Sequence, residues 1–247
     1  MCTLSIYKNK KRCIVTMNRD ELRNRDQAVR LNTEIYGPAA RLLYPVDEPS
    51  QGTWIAGNDH GVVLCLLNNY QGELANLAAV PSSRGIIIPA ALAQGSCKKV
   101  RKHLQNLVVQ LFRPFDLFLL TRKKLMQFTY DGVDYRWQEL PLGSWFMFSS
   151  SSYKVDEVLS YRYELFRKWT AEVGEENIES EEILHGFHRI QIPNLETHSV
   201  LMERERSQTK SITQFVIGKK HISMEYYPLS RASQNESPAT GELELVH

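Results

Sequence analysis

Short β-prone runs open and close this chain, and helical periodicity is confined to stretches between them. Residues 3–8 and 13–19 are β-prone and are separated by Asn9-Lys10-Lys11-Arg12, a hairpin-like pattern. Trp54–Asn58 meets the turn signal Asp59-His60-Gly61, and Val62–Leu67 follows as a buried-strand run. Residues 85–111 hold two helical stretches. In the second, from about Lys98 to Leu111, Val100, Leu104, Leu107, Val108 and Leu111 recur at helical spacing. Its Lys98-Lys99-x-Arg101-Lys102 cluster reads as a solvated helix face rather than a phosphate patch. Strand runs return at Asp116–Thr121, Leu125–Tyr130, Tyr135–Leu140 and Trp145–Phe148. Residues 153–170 read as an amphipathic helix and 177–189 as a second one. Ser199–Glu203, Lys210–Ile217 and His221–Tyr227 close the pattern as strands. The layout predicts an α+β fold with helices packed on antiparallel sheets. Residues 20–50, polar with several prolines and a glycine, read as a long surface connection. The segment 230–247, rich in Ser, Asn, Pro, Thr and Glu, reads as a disordered tail behind a single domain over 1–229.

Composition excludes several function classes. A formal net charge of +2 is too small to argue for nucleic acid or an anionic membrane surface. No apolar run approaches the roughly 20 residues of a membrane span. The opening Met1-Cys2-Thr3-Leu4-Ser5-Ile6-Tyr7 has none of the order of a secretory signal, and residue 2 is not the glycine that myristoylation requires. Cys2, Cys13, Cys65 and Cys97 form no CxxC pair and no zinc spacing, so they read as reduced thiols and the expected compartment is the cytoplasm.

Two signals near the start carry chemistry. Methionine aminopeptidases remove Met1 when the second side chain is small, and cysteine qualifies. The mature chain would then place a thiol and a free α-amine on Cys2, a nucleophile and a general base in one residue. Alone, Met-Cys reads simply as the start of an edge strand. The second signal is Asn18-Arg19-Asp20-Glu21, at the end of the second strand. In a hairpin that end lies beside the start of the first strand, so Arg19 and Asp20 fall next to Cys2. A cation there favours the thiolate, and a carboxylate there can hold the amine. Alone, the tetrad reads as a charged turn.

Together these residues resemble the NRDE family, which includes the transport-and-Golgi-organisation proteins. The resemblance extends through Asn18-Arg19-Asp20-Glu21-Leu22-Arg23-x-Arg25, then Gly52-Thr53-Trp54-Ile55-Ala56-x-Asn58-x-His60-Gly61 and Leu66-Leu67-Asn68-Asn69-Tyr70. It continues in Ser83-Arg84-Gly85, Val200-Leu201-Met202-x-Arg204, Thr209-Lys210-Ser211 and Met224-x-Tyr226-x-Pro228. More distantly the layout is similar to choloylglycine hydrolases and cysteine acyltransferases, which cleave or transfer amide-linked acyl groups. The resemblance implies a four-layer αββα sandwich of the N-terminal-nucleophile (Ntn) hydrolase type. It implies Cys2 as nucleophile, Arg19 and Asp20 flanking it, and Asn68 in the oxyanion hole. An amide N–H after a buried strand suits that last role. Asn18, Glu21, Trp54, Asn69 and Arg84 are the accompanying binding candidates, and Glu21 competes with Asp20 for the amine. Where choloylglycine hydrolases carry a second active-site asparagine, Ser149-Ser150-Ser151-Ser152 stands here. Ser150 is the positional counterpart, with a flexible serine-rich loop as the bland alternative. Arg204 or Arg206 stands for the arginine those enzymes bring from a later strand.

Two further constellations read as structure. Glu181-Glu182…His185-x-x-His188 lacks the HExxH order and reads as a surface pair rather than a metal site. Trp54, Trp145, Trp169, Phe146 and Phe148 read chiefly as core. The expected activity is hydrolysis of a small non-peptide amide, with no metal or organic cofactor, or acyl transfer to another acceptor. The second reading is a non-catalytic trafficking protein that uses the pocket for an apolar ligand or haem.

Overall fold

The structure is a computed structural model, and it describes residues 2–28, 31–32, 35–36, 39–72, 81–141, 143–174, 178–229 and 237–246. Fourteen strands are described: β1 (Cys2–Lys8), β2 (Cys13–Leu22), β3 (Leu31–Asn32), β4 (Ile35–Tyr36), β5 (Ala40–Pro45), β6 (Ile55–Asn58), β7 (Val63–Asn68), β8 (Phe115–Leu120), β9 (Leu125–Tyr130), β10 (Tyr135–Glu139), β11 (Trp145–Ser150), β12 (Ser207–Ile217), β13 (His221–Pro228) and β14 (Ala239–Glu244). The helices are α1 (Ile87–Leu92), α2 (Cys97–Gln105), α3 (Val155–Val173) and α4 (Ser180–Gly186). One sheet runs β11-β1-β2-β12-β13-β14. The other runs β10-β9-β8-β7-β6-β5-β3, with β4 on β5. Every pairing is antiparallel.

Alternation along the strands builds the layers, because successive side chains point to opposite faces. Leu4 and Ile6 of β1, Val15 and Met17 of β2, and Val63, Cys65 and Leu67 of β7 meet between the two sheets. Tyr7 and Ile14 turn the other way and pack with Phe166, Trp169, Ile183 and Phe187 of the α3–α4 region. Leu64, Leu66, Leu117 and Leu119 cover the far face of the second sheet and pack under α1 and α2. The result is the expected αββα order.

Several elements differ from the sequence expectation. The supposed surface connection 20–50 contributes β5, whose Leu42, Leu43 and Tyr44 are buried. The flanking prolines and glycine conceal that short apolar run. Residues 199–203 are not a strand. They form bends closed by a single bridge, Glu203 to Gln208, and by Met202 N–H donating to Thr209 Oγ1 at 2.8 Å. The second helical stretch stops at Gln105, and Val109–Leu111 is a separate 3-10 turn. The tail expected to be disordered supplies β14, which pairs with β13 and buries Leu243. Its spaced apolar residues need that sheet edge before they show any pattern.

β12 carries a register shift against β2. Ser211 pairs with Arg19, whereas Thr209 pairs with Asp20, so Lys210 is the extra residue of a bulge. This irregularity sits opposite the charged tetrad.

Candidate active site

Cross-strand register places Cys2 directly opposite Arg19 on β2 and opposite Ser150 on β11. Residues directly opposite share a face, so all three side chains lie on the inter-sheet side. Cys2 is 8 % exposed and packs within the inter-sheet core. Its backbone nitrogen donates to Ser150 Oγ at 3.2 Å. The serine run is therefore strand at Ser149 and Ser150, not a flexible loop. Burial raises the Cys2 pKa above its ordinary value and the Asp20 carboxylate adds to the rise, while the amino-terminal charge, the Asp20 backbone N–H and the Arg19 charge pull against it. The cation beside the thiol thus does not prevail over burial, and the resting group is the thiol. A base is needed to ionise it.

Arg19 leads from Cys2 into a cleft of about 390 Å³. Its guanidinium carbon lies 4.4 Å from the centroid of the Trp54 ring, and its Nη2 donates to Asp47 Oδ1 at 2.9 Å. Arg25 donates to the other oxygen of Asp47. Glu21, Asn68 and Arg84 line the same cleft, so it gathers Arg19, Glu21, Trp54, Asn68 and Arg84 of the predicted set. Asn68 Nδ2 donates to Tyr70 Oη at 2.9 Å. Asn69 is a turn residue instead: its Oδ1 accepts from Gln71 N–H and its own N–H goes to Pro114 O.

Arg84 is held in the cleft wall by a close backbone approach. Thr53 N–H donates to Gly85 O at 3.1 Å, and a Cβ built on Gly52 would meet the Gly85 carbonyl carbon at 2.4 Å. Only glycine fits at 52. Gly52→Ala should therefore displace the Arg84 turn and lower stability by about 1–3 kcal/mol, read from the urea midpoint. An unchanged midpoint would show that the turn yields freely.

Asp20 departs from expectation. Its side chain lies on the helix-facing side of the sheet, opposite to the Cys2 thiol, because β2 alternates. There Thr209 Oγ1 donates to Asp20 Oδ1 at 2.7 Å, and Arg162 Nη2 lies 3.5 Å from Asp20 Oδ2. Burial pushes the Asp20 carboxyl up, and Arg162, the amino-terminal charge and Thr209 pull it down. Arg162 on α3 was not found from sequence. It is 0 % exposed, and it also donates to Thr3 Oγ1 (2.8 Å), Ser149 Oγ (2.9 Å), His198 O (3.2 Å) and Ser199 O (2.9 Å). The signal was present: Val158, Phe166 and Trp169 mark the buried stripe of α3, and Arg162 occupies that stripe. The sequence had named Arg204 or Arg206 for such a role. Arg206 is exposed, and Arg204 donates to Ser151 Oγ and Thr197 O beside the Tyr153 ring.

Asn18 and His188 form a second buried network on the helix-facing side. Asn18 Nδ2 donates to His188 O (3.0 Å) and Val200 O (2.9 Å), which leaves Oδ1 as acceptor for His188 Nδ1–H at 2.6 Å. The other ring nitrogen then accepts from Ser5 Oγ–H at 2.6 Å. The sequence expectation of Asn18 as a binding residue and of His188 as half of a surface pair is thus corrected. His188 is 0 % exposed, because its ring is solvated by Asn18 and Ser5 rather than by water.

This network predicts acid sensitivity. Burial lowers the His188 pKa to about 3 in the fold, against about 6.5 in the unfolded chain. Between those values the unfolded chain binds the extra proton, so stability is lost as pH falls below about 6.5. The loss attributable to His188 is about 2 kcal/mol between pH 7 and 5. Urea midpoints at the two pH values check it: His188→Gln should flatten the slope. An equally steep slope in that variant would assign the effect to other groups.

The remaining aromatics are core. Trp145 packs against Phe166 and Trp169 of α3, and Phe148 packs on Phe118 between the sheets, with ring centroids 4.1 Å apart. No helix among the described residues is long and apolar enough to cross a membrane.

With this geometry, solved structures give two informative matches. The Caenorhabditis elegans N-acylethanolamine-hydrolyzing acid amidase ortholog aligns with a TM-score of 0.62 at 14 % identity, over 99 % of this chain and 100 % of that one. The conjugated bile acid hydrolase from Clostridium perfringens, solved as a mutant with alanine in place of its second-residue cysteine, aligns with a TM-score of 0.60 at 9 % identity, over 100 % of this chain and 97 % of that one. The likeness at these identities is one of fold, the αββα Ntn-hydrolase sandwich. No curated relative matches by sequence. The profile of one family, described as Transport and Golgi organisation 2 (TANGO2), matches residues 1–228.

Proposed function

The chain belongs to the Transport and Golgi organisation 2 family, and from that premise we propose that it is a cysteine amidohydrolase of the N-terminal-nucleophile kind, acting on a small non-peptide amide. The observation that carries this reading is the register of Cys2 with Arg19 and Ser150 beside a charged cleft. Removal of Met1 turns the Cys2 nitrogen into an α-amine 3.2 Å from Ser150 Oγ.

The reaction then proceeds in two halves. The amine takes the thiol proton, and the sulfur attacks the amide carbonyl. Charge collects on the carbonyl oxygen; Asn68, at the cleft end of β7 on the face of Leu64 and Leu66, is the donor this reading assigns to it, since its amide has a second N–H beyond the one given to Tyr70. The ammonium returns its proton to the leaving nitrogen, the C–N bond breaks, and a thioester remains. Water, deprotonated by the same amine, cleaves the thioester and restores the thiol. Arg19 borders the attack site, and its partner Asp47 fixes its orientation. Asp20 acts from the opposite face, through its backbone N–H to the sulfur.

The test uses N-acylethanolamines and conjugated bile acids as a first amide panel. Cys2→Ala should abolish turnover with an unchanged melting temperature, and full activity in that variant would refute the reading. Mass spectrometry should find Met1 absent and iodoacetamide directed to Cys2 over Cys13, Cys65 and the more exposed Cys97. The burial of Cys2 favours the second reading, a binding protein on this fold. Retained Met1 with an inert Cys2 would decide for it.

A further inference from the structure

The charges of the cleft do not balance. Four guanidiniums line it, from Arg19, Arg25, Arg84 and Arg113, against the two carboxylates of Glu21 and Asp47. Both carboxylates are engaged by the first pair: Asp47 with Arg19 at 2.9 Å and Arg25 at 2.5 Å, and Glu21 with Arg19 at 3.9 Å. Among the described residues, no carboxylate lies within ion-pair distance of Arg84 or Arg113. Arg84 is half-buried, and the only hydrogen bond its guanidinium makes among those residues is from Nη1 to Pro114 O at 2.9 Å. Burial lowers its pKa, and the like charge of Arg113 lowers it further. An anion entering beside Arg84 and Arg113 would gain charge-assisted hydrogen bonds from both guanidiniums.

The rest of the wall fits such a guest. Trp54, Leu66 and Pro81 supply an apolar side. Trp54 is 6 % exposed, and its indole N–H has no hydrogen-bond partner among the described residues. Arg19 links this wall to the thiol, because it lines the cleft and stands directly opposite Cys2 across the sheet. A volume of about 390 Å³ suits a small amphiphile.

We propose that Arg84 and Arg113 form an anion-recognition subsite, and that the molecule taken by this cleft joins an apolar body to a carboxylate, sulfonate or phosphate. As a statement about substrate it rests on the amidohydrolase reading; as a statement about binding it stands apart from it.

Isothermal titration of the full-length protein with octanoate and with octanamide tests it. Octanoate should bind roughly 10-fold or more tightly than octanamide, the scale of a charge-assisted contact. The preference should vanish in R84Q/R113Q and persist in part in R84K. R113Q alone changes an exposed side chain, keeps the fold, and should already weaken octanoate several-fold. Equal affinity for the two ligands, or a preference that survives in R84Q/R113Q, would overturn the assignment. Failure of the amidase reading looks different: no amide is turned over, while octanoate is still preferred. If amides are turned over, N-octanoyl-β-alanine should exceed its methyl ester in kcat/KM by a similar factor, and the reverse order would count against the subsite.

Discussion

Replacing Arg162 by alanine should cost about 3–5 kcal/mol of stability, the scale for breaking a buried charge pair by removing one partner. The variant takes from the buried Asp20 carboxylate the cation 3.5 Å away, while Thr209 Oγ1 still donates to it. It also strands the His198 and Ser199 carbonyls, and Thr3 and Ser149 lose a shared donor. Against a typical total of about 5–15 kcal/mol, that is a large fraction. The fully buried position gives solvent no route to compensate. Arg162→Lys should recover little, because an ammonium cannot reproduce the fork that reaches both carbonyls and the hydroxyls. Arg162→Met combined with Asp20→Asn should be milder than Arg162→Ala, since no charge is then left buried alone. Urea denaturation gives all three values. A loss below about 1 kcal/mol in Arg162→Ala would mean that the arginine contributes no more than a surface ion pair.

One glycine inserted between Met1 and Cys2 should reduce turnover by about 10²–10⁴-fold, the usual contribution of a positioned general base. Aminopeptidase trimming then yields Gly-Cys, so the thiol is retained while its own nitrogen becomes an amide. Burial of Cys2 leaves the thiol in its protonated form, and nothing in the Cys2–Arg19–Ser150 group replaces the lost base. The same insertion should leave the melting temperature nearly unchanged. Steady-state kinetics with an amide found by the panel reads the result, and undiminished kcat would show that another group takes the proton.

Much of this arrangement was legible in sequence because it is local. The opening hairpin follows from two β-prone runs and a polar turn, so the Cys2–Arg19 neighbour relation follows too. Ser150 was located only by likeness to a relative's asparagine, and the β1–β11 register gives that placement its physical reason. What could not be read were consequences of alternation combined with long-range packing. Asp20 and Arg19 are adjacent in the tetrad, yet one turns to α3 and the other to the cleft. Asn18 falls on the same side as Asp20, where it meets His188 across 170 residues of chain. Arg162 was hidden because a charged residue on a helix defaults to solvent. Only its place in the apolar stripe of α3 argued otherwise. β14 was hidden for a related reason: a polar segment acquires strand character when an edge is there to receive it.

The order of the first sheet also sets a clock. β1 is made first, yet it lies between β2 and β11, and the neighbour that closes over Cys2 is Ser150. At a synthesis rate of about 5–20 residues per second, roughly 7–30 s separate the appearance of Cys2 from that of its closing strand. Trimming of Met1, on the proposed reading, belongs to this interval, while the end of the chain is still accessible to a peptidase. Afterwards the same end is sheet interior, and a nitrogen processed in the open is held against a serine hydroxyl. A slower peptidase or a faster ribosome would then yield folded but silent molecules, distinguishable from active ones by a single methionine of mass.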